Sequence, residues 1–374
     1  MPLFFYLGDI GYKKGIDLLT TYPISNLSPL NKVLMEKTSV KENMTMDVNV
    51  RFEHSWWRIL LIIGAIIAFI LTCTFNGLAS SGSNGMSDGH MPVKTFYCIL
   101  PRSVSGIFKQ ATGSVSDDNL TDFTPAGWTF SVWGVIYFWQ AAWLIYAVSR
   151  IPRKSNVGYL YIAPNTLHFI IFIFYIINMG LNIGWLFVWD RAHFGWALLV
   201  IFLMFLTITI PMIITHVLLQ RNRQIYINSR RTADIWLVRA FVHNGFAIYG
   251  TWLYLAMLLN LTIWVSRIYD RNAQSITDVS TAALSLVLVG ILVYFVCENF
   301  IFYSSMAYTF LPWFVLIFAL SGVLSKNYRR MDIPDRNKSF TLALLILCCV
   351  LFAIRVILFI FRYIKGYIPT IRAP

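Results

Sequence analysis

Eight long apolar runs alternate with polar breaks along the chain: 56–79, 127–149, 166–189, 194–219, 236–265, 280–302, 307–325 and 341–364. Each is close to the roughly 20 residues that cross a bilayer as a helix. The runs are continuous rather than alternating, so they predict helices and not barrel strands. A short break at Ser304 and Ser305 separates the sixth run from the seventh, and Pro312 falls in the first turns of the seventh, where proline is tolerated. Residues 1–54 are polar and mixed in charge and read as a cytosolic tail. Their opening apolar stretch is short and has no basic segment before it, which is not a signal-peptide pattern. The largest loop, 80–126, is rich in Gly and Ser and carries a glycosylation sequon at Asn119-Leu120-Thr121.

Composition agrees. Of 374 residues, 57% are hydrophobic and 13% charged, against about 25% charged in soluble domains. A soluble globule, a disordered chain and a coiled coil are excluded. The net charge of +13 reads as an orientation signal and as contact with anionic membrane lipid. No basic run is dense enough for a nucleic-acid surface. The breaks with Arg150, Arg153 and Lys154 and with Arg221, Arg223, Arg230 and Arg231 fall on the side of the termini, whereas 326–338 carries five basic and two acidic residues on the other. The balance places both termini in the cytosol and the first loop outside or in a lumen. Cys73, Cys98, Cys297, Cys348 and Cys349 form no disulfide framework and read as buried small hydrophobes.

No phosphate-binding loop, dinucleotide fingerprint or zinc-protease motif occurs, and acids are scarce in the spans. An ATP-driven pump and an intramembrane metalloprotease are disfavoured. What the spans carry is polar and aromatic residues at helical spacing. Trp133 and Tyr137 share a face, as do Asn178, Asn182 and Trp185, and Trp252, Ala256 and Asn260 recur every four residues. A small residue between a Trp and an Asn makes a recess with an apolar wall and a polar tip. Such faces meeting in a bundle would form a ligand pocket. The competing reading is aromatic packing with asparagines that bond neighbouring helices.

The string Phe123-Thr-Pro-Ala-Gly-Trp128-Thr-Phe-Ser-Val-Trp133-Gly-Val-Ile-Tyr137 resembles the second-helix signature of the TspO/translocator-protein family, in particular its tryptophan-rich sensory branch. Leu181-Asn182-Ile-Gly-Trp185, Phe194-Gly195-Trp196-Ala197-Leu198-Leu199 and the segment from Trp252 to Trp264 resemble its third, fourth and fifth helices, in order. The resemblance covers about 56–268. It implies an all-α integral membrane protein: a TspO-like five-helix transmembrane bundle over 55–268, closed at one end by the 80–126 loop, plus about three further transmembrane helices in a 269–374 extension. It implies binding of tetrapyrroles, sterols or other planar apolar molecules within the bundle. By position, Trp133 and Trp252 would be pocket walls and Ala256 the small residue that admits a flat ring. Asn182, Trp185 and Asn260 would line the third and fifth helices. Trp128, Tyr137 and Tyr249 complete the candidate ligand-binding set. The chain departs from the family pattern at Ser131, Leu186-Phe187, Val200 and Leu261.

The reading that follows is a membrane sensor or carrier for a small planar apolar ligand, with no required cofactor and a tetrapyrrole as candidate ligand. A tetrapyrrole-modifying enzyme and a transporter or scaffold are the alternatives. Gly180 and Gly184 form a small-x-x-x-small pair that would serve either a homodimer or close approach of helices around the pocket. Arg355, inside the last span, is expected to pair with Glu298 and fix the packing of the extension. His168, His216 and His243 read as hydrogen-bonded bundle residues, with His243 placed to contact a lid. Trp56, Trp57 and Trp313 read as interface anchors.

Overall fold

The computed structural model describes residues 53–81, 106–269, 272–328, 330–331 and 334–368. The tail at 1–52, most of the first loop and Cys98 lie outside the described residues. Eight helices are long and apolar enough to cross a membrane. In chain order these are α1 (Trp56–Ser81), α3 (Gly127–Ser149), α4 (Phe169–Asp190), α5 (Phe194–Asn228), α6 (Thr232–Ile268), α7 (Ala273–Ile301), α8 (Leu311–Tyr328) and α9 (Asp335–Ile364). A short helix, α2 (Thr112–Asp117), lies in the described part of the first loop. Strands β1 (Lys154–Ser155) and β2 (Gly158–Tyr159) make a small antiparallel hairpin between α3 and α4. The protein is an all-α integral membrane protein that crosses the bilayer several times.

Several helices outrun their apolar cores. The apolar run ends near 219, but α5 continues through Gln220–Asn228, where its polar residues leave the hydrocarbon as one more helical stretch. Its end is tied down by Tyr226 Oη to Thr166 Oγ1 at 3.0 Å. α6 likewise starts at Thr232, and a π segment at Val238–His243 joins its first turns to the main helix. α7 ends in a second π segment, Cys297–Ile301, which carries Glu298.

α6 is the central helix. Its most apolar window is 72% buried, against 17% in α1 and in α9. It packs on α3 and α5 and also on α7 and α8, while α1 covers α3 and α4, and α9 covers α7 and α8. Of the last three helices, α7 and α8 therefore seat directly on the helix that carries Trp252, Ala256 and Asn260, and α9 lies outside them.

The even number of spans returns both ends of the described bundle to one side. On that side the basic residues after α3 are structural. Arg150 is buried, and its guanidinium donates to Leu160 O (2.5 Å), Pro164 O (3.1 Å) and Tyr146 Oη (3.1 Å). Arg153 pairs with Asp234 at 2.9 Å. His168 caps α4 by accepting from Ile170 N at 3.3 Å. Burial, and then the charge of Arg58, hold its imidazole below the usual value, which keeps it the neutral acceptor this cap requires.

Two expectations change here. Trp56 and Trp57 are exposed at the start of α1, as interface residues would be, but Trp313 is fully buried and donates to Glu298 Oε2 at 2.8 Å. Asn119 of the sequon is 3% exposed. Its amide donates to Val115 O and its oxygen accepts from Arg267 at 2.7 and 3.1 Å, so it faces the protein rather than a glycosylating enzyme.

Candidate functional site

A recess opens among α3, α4, α5, α6 and α8 at the end of the bundle that faces the first loop, and that loop covers it. Phe130 and Trp133 come from α3, Trp185 and Trp189 from α4, and Ile201 and Met204 from α5. α6 supplies Trp252, Leu253, Leu255, Ala256, Leu259 and Asn260, at the helical spacing that puts 252, 256 and 260 on one stripe. Ala319, Leu320 and Val323 of α8 close the side, and Thr112, Phe123 and Pro125 of the loop close the top. The open core of the recess is small, about 50 Å³. That core admits water, whereas drug-sized ligands occupy pockets of about 300–1,000 Å³. A macrocycle fits only if the walls part.

The aromatic geometry differs from a parallel clamp. Trp133 and Trp252 lie 6.1 Å apart at 80°, so they form a corner: a flat ring stacked on one meets the edge of the other. Phe130 meets Trp252 at 83° and extends the corner. On the opposite wall Trp185 and Trp189 stack at 5.1 Å and 22°.

Most polar atoms in the recess are already used. Trp185 Nε1 donates to Asn260 Oδ1 at 3.3 Å, and Asn260 Nδ2 donates to Ala256 O at 2.8 Å. Trp189 Nε1 donates to Thr112 O at 3.2 Å and so ties α4 to the loop. Trp252 Nε1 is buried and has no acceptor among the described residues. An indole N–H left without a partner in a dry site costs about 1–3 kcal/mol, and a ligand acceptor atom would recover it.

Trp133, Trp185, Trp252, Ala256 and Asn260 thus come together as the sequence places them. Four other candidates do not line the recess. Asn182 bridges helices: it accepts from Asn76 Nδ2 at 2.7 Å and donates to Tyr249 Oη at 3.0 Å, so α1, α4 and α6 share one polar link. Tyr249 is used in that link. Tyr137 stacks behind Trp133 at 5.6 Å, with its hydroxyl buried and without a partner among the described residues. Trp128 is half exposed and packs edge-on against Phe318. Asn178 holds α5 by donating to Met204 O and Thr207 Oγ1. Helical periodicity places these residues on the right faces but cannot say which neighbour each face meets.

The loop is held shut largely by the last three helices. Asp122 is buried. Its N–H donates to Ser280 Oγ (3.1 Å), its carbonyl accepts from Asn327 Nδ2 (2.6 Å), and its carboxylate accepts from Asn337 Nδ2 (2.8 Å). These partners sit on α7, α8 and α9. Ala126 N donates to Gly322 O, and Lys326 pairs with Asp117. Gly322 lets α8 approach the first turn of α3 so closely that a Cβ there would lie 2.0 Å from Thr129 Oγ1. On the α4 side, Asp190 Oδ1 accepts from Lys109 N and Gln110 N.

Other candidates lie elsewhere. His243 is not a lid contact. It sits in the π segment near the opposite end of α6, stacked on His216 at 3.7 Å, while His216 Nε2 meets Thr309 Oγ1 at 3.1 Å. Arg355 and Glu298 meet at 2.5 Å with both side chains buried, and the guanidinium also donates to Ala307 O at 2.7 Å. Gly180 and Gly184 have nothing within 4 Å of a Cβ built on either, so they are not what brings helices together around the recess. Trp189, Ile201 and Met204 escaped the sequence reading, although Trp189 follows Trp185 by one helical turn. The α8 wall also escaped it: Ala319 and Val323 share a helical face, but nothing in the sequence says which pocket that face closes.

Comparison with protein families returns one match: the model of the TSPO-like protein family aligns with residues 62–362, well over half of the chain and reaching into all eight helices. No curated protein and no solved structure matches the chain.

Proposed function

The chain belongs to the TSPO-like protein family, and from that premise we propose that it is a membrane sensor or carrier that takes a planar, largely apolar molecule into the recess beneath the first loop. One observation carries this reading. An aromatic recess holds a buried indole N–H, that of Trp252, which no group among the described residues satisfies. Among the described residues the lining has no acid, imidazole or thiol, and it offers a ligand contact area and one hydrogen bond. The ligand that suits it has a flat apolar face and a single acceptor near its edge, as tetrapyrroles and oxygenated sterols do. Stacking on Trp133 or Trp252 and burial of apolar area would supply the affinity. Occupancy requires the walls to part, and the elements that cover the core are the loop and α8.

Orientation completes the proposal. The basic residues around 150–154 and 221–231 mark the cytosolic side. Both termini then face the cytosol, and the recess opens toward the outer or lumenal leaflet.

The test is a porphyrin titration of the detergent-purified protein, followed by the shift of the porphyrin absorption band. Trp252→Phe keeps the ring and removes the N–H. It should weaken binding by about tenfold, the equivalent of one buried hydrogen bond. Ala256→Phe should abolish saturable binding while the melting transition persists. Saturable binding of equal strength in both variants would reject this recess as the site.

A further inference from the structure

At the end of the bundle away from the recess, residues 302–310 link α7 to α8 and run in turns rather than helix. Two sets of contacts fix this connection to the bundle. Asn244 of α6 donates from Nδ2 to Tyr308 O at 2.8 Å, and its Oδ1 accepts from Phe310 N (3.0 Å) and Leu311 N (3.2 Å). Thr309 Oγ1 meets Nε2 of His216 of α5 at 3.1 Å, and His216 stacks on His243 of α6 at 3.7 Å and 15°. We propose that this histidine pair is an acid-sensitive latch: with both rings neutral it holds the start of α8 on α5 and α6, and proton uptake frees α8 to part from the recess. Only that last step rests on the reading of the recess as a ligand site.

The hydrogen bonds set the protonation state. His216 Nδ1 lies 2.8 Å from Met212 O, which can only accept, so Nδ1 carries the proton and Nε2 is the lone pair that accepts from Thr309. His243 donates to the Thr215 carbonyl, and its Nε2 is buried without a hydrogen-bond partner among the described residues. A second proton on His243 would therefore make an N–H with no acceptor, and a charge on either ring would lie flat against the other. His216 is 7% exposed and His243 2%, so water does not solvate such a charge. No carboxylate faces the pair among the described residues. Arg239 of α6 and Arg223 of α5 are the charges on its own helices, both positive, and Tyr308 of the connection lies against Arg239. The acids on the surrounding elements are engaged elsewhere: Asp234 by Tyr146 of α3 and by Arg153, and Glu298 of α7 by Arg355 of α9. On α4, His168 serves as the helix cap.

Water reaches the rings when the connection lifts. Phe302 and Tyr303 within it are already exposed, and lifting breaks the Thr309 and Asn244 contacts together. A solvated ring then titrates near the ordinary histidine value of about 6.5. The closed state binds fewer protons than the open one, so closure is favoured above that value and is progressively weakened as the pH falls below it. At about pH 5 each solvated ring favours opening about thirtyfold. α8 begins at Leu311, whose amide Asn244 holds, and carries Ala319, Leu320 and Val323 to the recess, so release at its start loosens that wall.

Hydrogen exchange of the full chain in detergent tests this at about pH 7.5 and about pH 5, corrected for the intrinsic pH dependence of exchange. Protection of the Phe310 and Leu311 amides should fall at least tenfold in acid in the wild type, while the middle of α6 keeps its protection. His243→Phe keeps a flat ring on His216 without the titrating nitrogens, and His216→Phe/His243→Phe removes both imidazoles. The acid loss should be at least threefold smaller in the single variant and absent in the double. If the double variant does not fold, the single variant decides. Unchanged protection in the wild type, or the same acid loss in His243→Phe, would overturn the latch. Stopped-flow quenching by a porphyrin reads the coupling to the recess: the wild-type entry rate, divided by that of His243→Phe at the same pH, should rise at least threefold in acid. An unchanged ratio where porphyrin binds would overturn that coupling. Failure of porphyrin to bind would count against the recess alone, because the exchange result decides the latch without a ligand.

Discussion

Removing either partner of the buried pair Arg355–Glu298 should destabilise the bundle unequally. Arg355 is 2% exposed and Glu298 1%, and they are joined at 2.5 Å. Around them, Trp313 Nε1 donates to Glu298 Oε2 and Arg355 donates to Ala307 O. Glu298→Leu strands a guanidinium that cannot shed its proton and frees the Trp313 N–H, so it should cost about 3–5 kcal/mol. Arg355→Met strands a carboxyl that can take up a proton and stay neutral, with its bond from Trp313 intact, so it should cost about 1–3 kcal/mol. The double variant buries two apolar chains and leaves only the Trp313 N–H and the Ala307 carbonyl unpaired, at about 2 kcal/mol in all. The coupling energy from the cycle should then be about 2–6 kcal/mol, read by equilibrium unfolding in mixed micelles. Coupling below about 0.5 kcal/mol would refute the reasoning. So would a smaller loss in Glu298→Leu than in Arg355→Met.

Other expectations follow from the same contacts. Gly322→Ala places a Cβ against Thr129 and should push α8 off the first turn of α3, lowering stability by about 1–3 kcal/mol and weakening porphyrin binding together, as melting and titration would read. Asp122→Ala removes the bond to Asn337 and should speed proteolysis or hydrogen exchange within 106–126 without unfolding the bundle; unchanged protection would show that the carboxylate does not hold the loop. Asn182→Leu breaks the Asn76–Asn182–Tyr249 link and should cost about 1–3 kcal/mol of stability with only a small change in ligand affinity, because Asn182 stands outside the recess. Asn119→Gln should leave the mobility of the protein expressed in a glycosylating host unchanged, since the wild-type Asn119 is buried.

The spans were legible because a bilayer demands about 20 apolar residues in a row, and each run satisfies that demand by itself. Half of the recess was legible for a related reason. Trp252, Ala256 and Asn260 lie on one helix, and period alone puts them on one stripe. What the sequence could not show is pairing between helices. Asn182 and Asn260 look alike as lone amides in spans, yet one bridges three helices and the other meets Trp185 at the recess. The same limit hid α8, whose approach to α3 brings Gly322 to Thr129, almost 200 positions away in the chain. The long polar ends of α5 and α6 were also hidden, because a polar helix leaving the membrane carries no hydropathy signal. The Trp133–Trp252 corner depends on side-chain rotamers, which spacing does not encode.

The central claim is that a ligand occupies the recess closed by both α6 and α8. Ala319 is 6% exposed on α8 and lines that recess from the side the sequence did not foresee. The most direct measurement is a porphyrin titration of Ala319→Phe beside the wild type, with melting curves recorded on both. At least a tenfold loss of affinity is expected, with a melting transition still present. Unchanged affinity in a folded Ala319→Phe protein would contradict it, since a phenyl ring in the open core and a bound macrocycle cannot share the same space.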